Sequence, residues 1–284
     1  MQVIFPEARK KAIYPVKIFQ EGWELWLKRL AALTTIAAIF YIPLTIFSWV
    51  ISALSPAKPA SSREIALSLG LFSLNAAVSG ILGSWAGASM ILTIKKSLAG
   101  SLEGAGENIK QGLSYLWRYL FASLLYSAIL GGIAILSYLL VVVLGALGWR
   151  FSPVLGGAII ALVGIPCIFI FVYFALRLSM VTMACVVDDF GPVQALKHSH
   201  ALVKEYVTPV VGEFCLVALL AFIVFIPGTI IAEVFIFLKL GLVTEIIRFL
   251  SLLLASLLIT PLSVSIFVLL YNKLKEASGP DVRA

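Results

Sequence analysis

Charged positions in this chain are crowded into a few short stretches, and the runs between them are almost purely apolar. Residues 31–54 carry no Asp, Glu, Lys or Arg over 24 positions, residues 66–94 none over 29, and residues 249–272 none over 24. A hydrocarbon core about 30 Å thick is crossed by about 20 helical residues. The pattern predicts an all-α, polytopic six-helix transmembrane bundle forming one integral membrane domain over residues 1–284, with spans near 31–54, 66–94, 119–147, 154–183, 208–238 and 245–272. Runs longer than the bilayer is thick are expected to tilt or to continue as helix beyond it.

Each pair of runs is preceded by an amphipathic stretch. Within residues 16–30, Val16, Phe19, Trp23, Trp26, Leu27 and Leu30 share one face, and Lys17, Gln20, Glu21, Glu24 and Lys28 fill the other. A second stretch covers residues 109–118. The third, residues 192–206, groups Val193, Leu196 and Val203 against Gln194, Lys197, Lys204 and Glu205. Such spacing suits a helix lying flat at the headgroups; the alternative is an extension of the following span. Asp188 and Asp189 before Gly191-Pro192 are read as helix-start chemistry for the third stretch, not as metal ligands.

Amphipathic helix, span, span, used three times, suggests a threefold helix-hairpin repeat. Glu21-Gly22 followed by Lys28 and Leu30 echoes Gln111-Gly112 followed by Arg118 and Leu120. Ile42-Pro43-Leu44-Thr45 echoes Ile226-Pro227-Gly228-Thr229.

Composition narrows the picture. The 284 residues are 61% hydrophobic and 12% charged, which leaves no room for an independent soluble domain of roughly 100 residues beside six spans. The net charge of +7 does not point to nucleic acid, because the basic residues sit at span ends. The segments on the side of the two termini hold 16 Lys and Arg, and the opposite connectors hold 5. Basic residues favour the cytoplasmic side, so both termini are expected there, with anionic lipid headgroups as the first partners. Lys17, Trp23, Trp26, Lys28, Lys197 and Lys204 are the candidate headgroup contacts. Cys167, Cys185 and Cys215 lack a CxxC spacing and read as small buried hydrophobes. No cleaved signal peptide is expected, since the first apolar run is too long for one.

Candidate chemistry is sparse. Ser79, Gly83 and Gly87 recur every four residues beside Gly80, Ser84 and Ala88, a surface that lets helices approach closely. The same positions with Asn75 offer the alternative of a narrow polar path. Pro43, Pro166, Pro227 and Pro261 fall inside apolar runs, and Pro227-Gly228 is the expected break. Ionisable groups within a membrane mark pathways for ions or substrates. Arg177 and Glu213 have similar predicted depth on consecutive spans and form a candidate ion pair. Asn75, Ser79, Arg177, Glu213 and Pro227 are therefore the candidate cavity. His198 and His200, two apart on a helix, point to different faces, and no HExxH, G-x-S-x-G or Walker motif is present. No catalytic residue, cofactor or metal site is expected.

Arg177-Leu178-Ser179, leading through Val186-Val187-Asp188-Asp189-Phe190-Gly191-Pro192 to Ala195-Leu196-Lys197-His198-Ser199, resembles a signature of bacterial and archaeal six-span proteins similar to the membrane domain of glycerophosphoryl diester phosphodiesterases. Thr260-Pro261-Leu262, Leu270-Tyr271 and the tail ending Gly279-Pro280-Asp281 are similar to that family's last span. Asn272 and Lys273 depart from it, standing where an aspartate and an arginine-rich run are usual. The resemblance implies a six-helix bundle in the cytoplasmic membrane of a prokaryote, without the separate catalytic barrel. The expected function is non-enzymatic: organising the membrane, or contacting lipid, a membrane-protein partner or a second copy. The alternative is a transporter or channel component moving a small solute or lipid through the bundle.

Overall fold

The computed structural model describes residues 13–56, 61–237 and 241–278. Among these it has nine helical segments and no strand: α1 (Pro15–Lys28), α2 (Leu30–Leu54), α3 (Ser62–Leu98), α4 (Ala105–Trp149), α5 (Pro153–Arg177), α6 (Val181–Val187), α7 (Pro192–Glu205), α8 (Val207–Phe237) and α9 (Gly241–Ser278). Six stretches are long and apolar enough to cross a membrane: α2, α3, α4, α5 continued by α6, α8 and α9. The chain is a multi-pass membrane protein.

Local chemistry places the helix ends. At the start of α3, the Ser61 hydroxyl accepts from Glu64 N–H and the Glu64 carboxylate accepts from Ser61 N–H, a reciprocal capping box. Ser152 caps α5 by accepting from Leu155 N–H at 3.0 Å, with Pro153 in the first turn. The other end of α3 closes on Gly100, whose φ of +82° suits a residue without Cβ. Gly100 N–H then reaches Ser97 C=O, and Ser101 N–H reaches Lys96 C=O.

Three helical hairpins, α2–α3, α4–α5 and α8–α9, all turn at one end of the bundle, here called the rim. At the opposite end, the base, α1, the start of α4, α6 and α7 wrap the last turns of α3 and α9. The core concentrates there: Ala88, Met90, Ile91, Met180, Leu202, Ile266, Leu270 and Leu274 are all fully buried. Toward the rim the helices turn Leu136, Leu162 and Phe169 outward, as a hydrocarbon solvent permits.

The three units are in register. Pro15, Ala105 and Pro192 open α1, α4 and α7, spaced by 90 and 87 residues. Three positions into each helix stand Ile18, Asn108 and Ala195; seven in, Gly22, Gly112 and Ser199; eleven in, Trp26, Leu116 and Val203. All nine are buried. The middle row marks the closest approach to a neighbour. A Cβ on Gly22 would come within 3.0 Å of Ile266 Cα in α9, and one on Gly112 within 3.1 Å of Ser89 Cα in α3. Ser199 touches the backbone where α5 gives way to α6. Each opening helix thus packs on the second arm of the preceding unit, and α1 completes the circle by packing on α9. The echo of Gly22 with Gly112 belongs to this register. The echo of Pro43 with Pro227 does not: those residues lie 184 apart, whereas units one and three are offset by 177.

Two expectations need correction. The stretch 109–118 is not a separate helix lying at the headgroups, because α4 runs through it without a break. At the matching positions, Arg29 and Tyr206 leave helical geometry and separate α1 from α2 and α7 from α8, while Tyr119 continues the helix. Nor does Pro227-Gly228 break α8, which is continuous from Val207 to Phe237. Thr229 Oγ1 donates to the Ile226 carbonyl at 2.8 Å, and Gly228 lets Ser251 of α9 approach closely. Pro227 removes one intrahelical donor, the partner of the Ile223 carbonyl, and the helix continues past it.

The small-residue stripe of α3 divides. Gly87 packs on Tyr119, where a Cβ would lie 2.6 Å from the hydroxyl, while Gly83 faces open space. Gly112→Ala is therefore expected to lower stability by about 1–3 kcal/mol, since overpacking forces backbone shifts, while Gly83→Ala causes no loss. Thermal unfolding in micelles, followed by tryptophan fluorescence, checks both; equal midpoints for the two variants would refute the close crossing of α3 and α4.

Candidate functional site

The segment 177–199 is a knot of tethers at the base. Ser199, fully buried, accepts Met180 N–H at 3.1 Å and donates to Arg177 C=O at 2.9 Å, satisfying backbone groups exposed by the α5–α6 break. The Arg177 guanidinium donates to His200 C=O at 3.3 Å and lies 4.8 Å from the centre of the Tyr173 ring. Asp188 accepts from Tyr271 Oη at 2.5 Å and pairs with Lys275, joining α6 to α9. Asp189, at φ +62°, pairs with Arg118 of α4. The two aspartates therefore do not start α7. Gly191 is its N-cap, without a side-chain bond, and Pro192 fills the first turn. The reason is geometric: both carboxylates are turned toward cations on neighbouring helices. The His198 ring lies 5.0 Å from Phe190 and 6.0 Å from Tyr271. Among the described residues, no cluster of three His, Cys, Asp or Glu side chains could hold a metal. Cys185 is buried, but Cys215 is exposed, on a span surface where lipid accepts a thiol readily.

The candidate cavity residues are not brought together. Arg177 and Glu213 form no ion pair. Arg177 is held by His200 and Tyr173, and both oxygens of the fully buried Glu213 lack a hydrogen-bond partner. Ser79 does line a cavity, and Asn75 reaches it only through its bond to Ser48. A crevice of 510 Å³ opens between α2, α3 and α9, lined on α2 by Tyr41, Thr45, Ser48, Trp49 and Ser52, on α3 by Ser79, and on α9 by Glu245, Arg248 and Ser256. Ser48 Oγ donates to Asn75 Oδ1 at 2.9 Å along its wall. Pro227 does not line the crevice; a separate hollow between α8 and α9 is bounded by Phe225, Gly228, Glu233 and Ser251. Arg248 borders both spaces, 3.4 Å from Glu245 and 3.7 Å from Glu233.

The headgroup candidates separate by depth. Lys17, Lys28, Lys197 and Lys204 are exposed, and Trp23 is partly so. Trp26 is only 8% exposed and belongs to the base core with Ile18 and Gly22, so it cannot reach a headgroup. Around α1 three sectors follow one another: Ile18, Gly22 and Trp26 on the protein; Val16, Trp23 and Leu27 exposed and apolar; Lys17, Gln20, Glu24 and Lys28 exposed and polar. In register with Trp23 and Leu27, α4 exposes Leu113 and Trp117, while α7 carries His200 and Lys204.

A family model described as "Domain of unknown function (DUF7847)" matches residues 16–274. The chain belongs to the DUF7847 family. No curated protein matches it, and no solved structure does. The DUF7847 match starts inside α1 and ends inside α9, so all three opening helices and both partners of the α1–α9 contact fall within the family domain.

Sequence reasoning missed the crevice, although a signal existed. Tyr41, Thr45, Ser48 and Ser52 recur at helical spacing within an otherwise apolar run. It also missed Lys275, which sits in the basic tail yet serves Asp188. Asn108 was missed too: it is fully buried and its side-chain atoms have no partner, in the row where the other units carry Ile18 and Ala195.

Proposed function

We propose that this DUF7847 protein is a non-enzymatic membrane protein whose base contacts lipid headgroups and organises the surrounding bilayer, or a partner within it. The observation that carries this reading is the three-sector surface of α1, with exposed Trp23 and Leu27 between a protein-facing row and Lys17 and Lys28. A helix wedged between protein, hydrocarbon and water presents these three faces. The excess of basic residues supports a base that faces the cytoplasm, and the resemblance to phosphodiesterase membrane domains supports a prokaryotic inner membrane. Juxtamembrane lysines are each worth about 1 kcal/mol against anionic lipid. Replacing Lys17, Lys28, Lys197 and Lys204 together by Gln is expected to reduce the preference for anionic over zwitterionic lipid at least fivefold, measured with spin-labelled lipids in nanodiscs. An unchanged preference would remove the lipid-contact reading.

A second reading, a transporter or channel component, is favoured by the crevice reaching Ser79 from the rim. It predicts that Ser79→Cys reacts with water-soluble maleimides from both membrane faces; reaction from the rim face alone removes it.

A further inference from the structure

We infer that the crevice between α2, α3 and α9 is a binding site for the primary ammonium group of an amphiphile. Three of its lining hydroxyls turn their hydrogens away from it. Thr45 Oγ1 donates to Tyr41 C=O at 2.6 Å, Ser48 Oγ to Asn75 Oδ1 at 2.9 Å, and Ser256 Oγ to Leu252 C=O at 2.9 Å. With their hydrogens directed into the protein, these three oxygens offer the crevice lone pairs only. A ligand that satisfies them must bring donors.

The mouth adds charge of matching sign. Glu245 lines it beside Arg248, and Glu233, which lines the neighbouring hollow between α8 and α9, pairs with the same guanidinium, so among these three side chains two carboxylates share one guanidinium. The local balance favours a cation, and the exposed Trp49 ring at the rim offers a cation a further favourable face. Leu44, Phe249 and Leu252 complete the lining with apolar surface suited to an alkyl chain. A volume of 510 Å³ admits a headgroup with the first part of its chain. Acceptors, net negative charge and an apolar wall select a group that is cationic, donates hydrogen bonds and carries a hydrocarbon tail. A quaternary ammonium has the charge without the donors.

The site lies at the end opposite Lys17 and Lys197, so its test and the test of the lysines fail separately. The full chain in phosphatidylcholine nanodiscs is titrated with brominated phosphatidylethanolamine or brominated phosphatidylcholine, and the Trp49 signal is taken as the difference from Trp49→Phe. At least threefold stronger quenching by phosphatidylethanolamine is expected, falling to parity in the Glu233→Gln, Glu245→Gln double variant and weakened in Ser48→Ala. All four replaced side chains lie outside the fully buried core, and an unchanged unfolding midpoint verifies the fold. Dodecylammonium separates the sources: if it restores the fluorescence, the amine alone is recognised; if the phosphatidylethanolamine preference persists in its presence, the phospholipid is. Equal quenching by the two lipids in the unmodified protein, or a preference unaltered in the double carboxamide variant, overturns the inference.

Discussion

Glu213→Leu is expected to make the protein more stable. Counted by the repeat, Glu213 occupies the position held by Ile36 in the first unit and Tyr126 in the second, on the face of α8 that also buries Val210. It has no exposed surface, and neither carboxyl oxygen has a partner. A buried polar group without hydrogen bonds costs roughly 2–7 kcal/mol relative to water. Leucine removes that cost and fills most of the volume with atoms its neighbours already accept, for a net gain of about 2–4 kcal/mol. The thermal midpoint in micelles should rise for Glu213→Leu and less for Glu213→Gln, which stays polar. A fall with leucine would mean that the carboxylate is held by interactions absent from this arrangement.

The opposite sign is expected at Asp188. Alanine there deprives Lys275 of its counter-charge and the Tyr271 hydroxyl of its acceptor, at a carboxylate whose side chain is only 11% exposed. Removing one partner of a largely buried ion pair strands the other, and with Lys275 still partly exposed the loss is about 3 kcal/mol. Because the damage comes from the stranded ammonium, adding Lys275→Met should recover part of it. The double variant and both single variants, compared by thermal unfolding, decide the matter. Strictly additive losses would show that the two side chains do not act as a pair.

These two residues also show where sequence reading succeeds and where it stops. The six spans were legible because hydropathy reports the solvent a segment needs, and runs such as 31–54 leave one answer. The repeat was legible at Gly22 and Gly112 because close helix crossings demand small residues, a demand that survives in the letters. Partnership is another matter. Asp188 meets side chains 83 and 87 positions away, and no local pattern announces that distance. Adjacent aspartates before Gly-Pro look like a helix start, yet the cations on α4 and α9 claim them. Arg177 and Glu213 share a depth but face different neighbours, since depth is set by sequence count and azimuth by packing. Whether α4 bends at Tyr119 as the chain does at Arg29 and Tyr206 depends on a few dihedral angles, below the resolution of periodicity.

The contact of α1 with α9 has a consequence for biogenesis. α1 leaves the ribosome before α9, on which it has its seat, so the belt cannot be buckled until the α8–α9 hairpin is in the bilayer. Until then Gly22 has no Ile266 to meet, and the Lys273–Glu21 bridge, 3.1 Å long in the finished molecule, does not exist. Because the start of α1 and the end of α9 are neighbours, linking them and reopening the chain between α3 and α4 would give a circular permutant of the described helices with every interhelical seam intact.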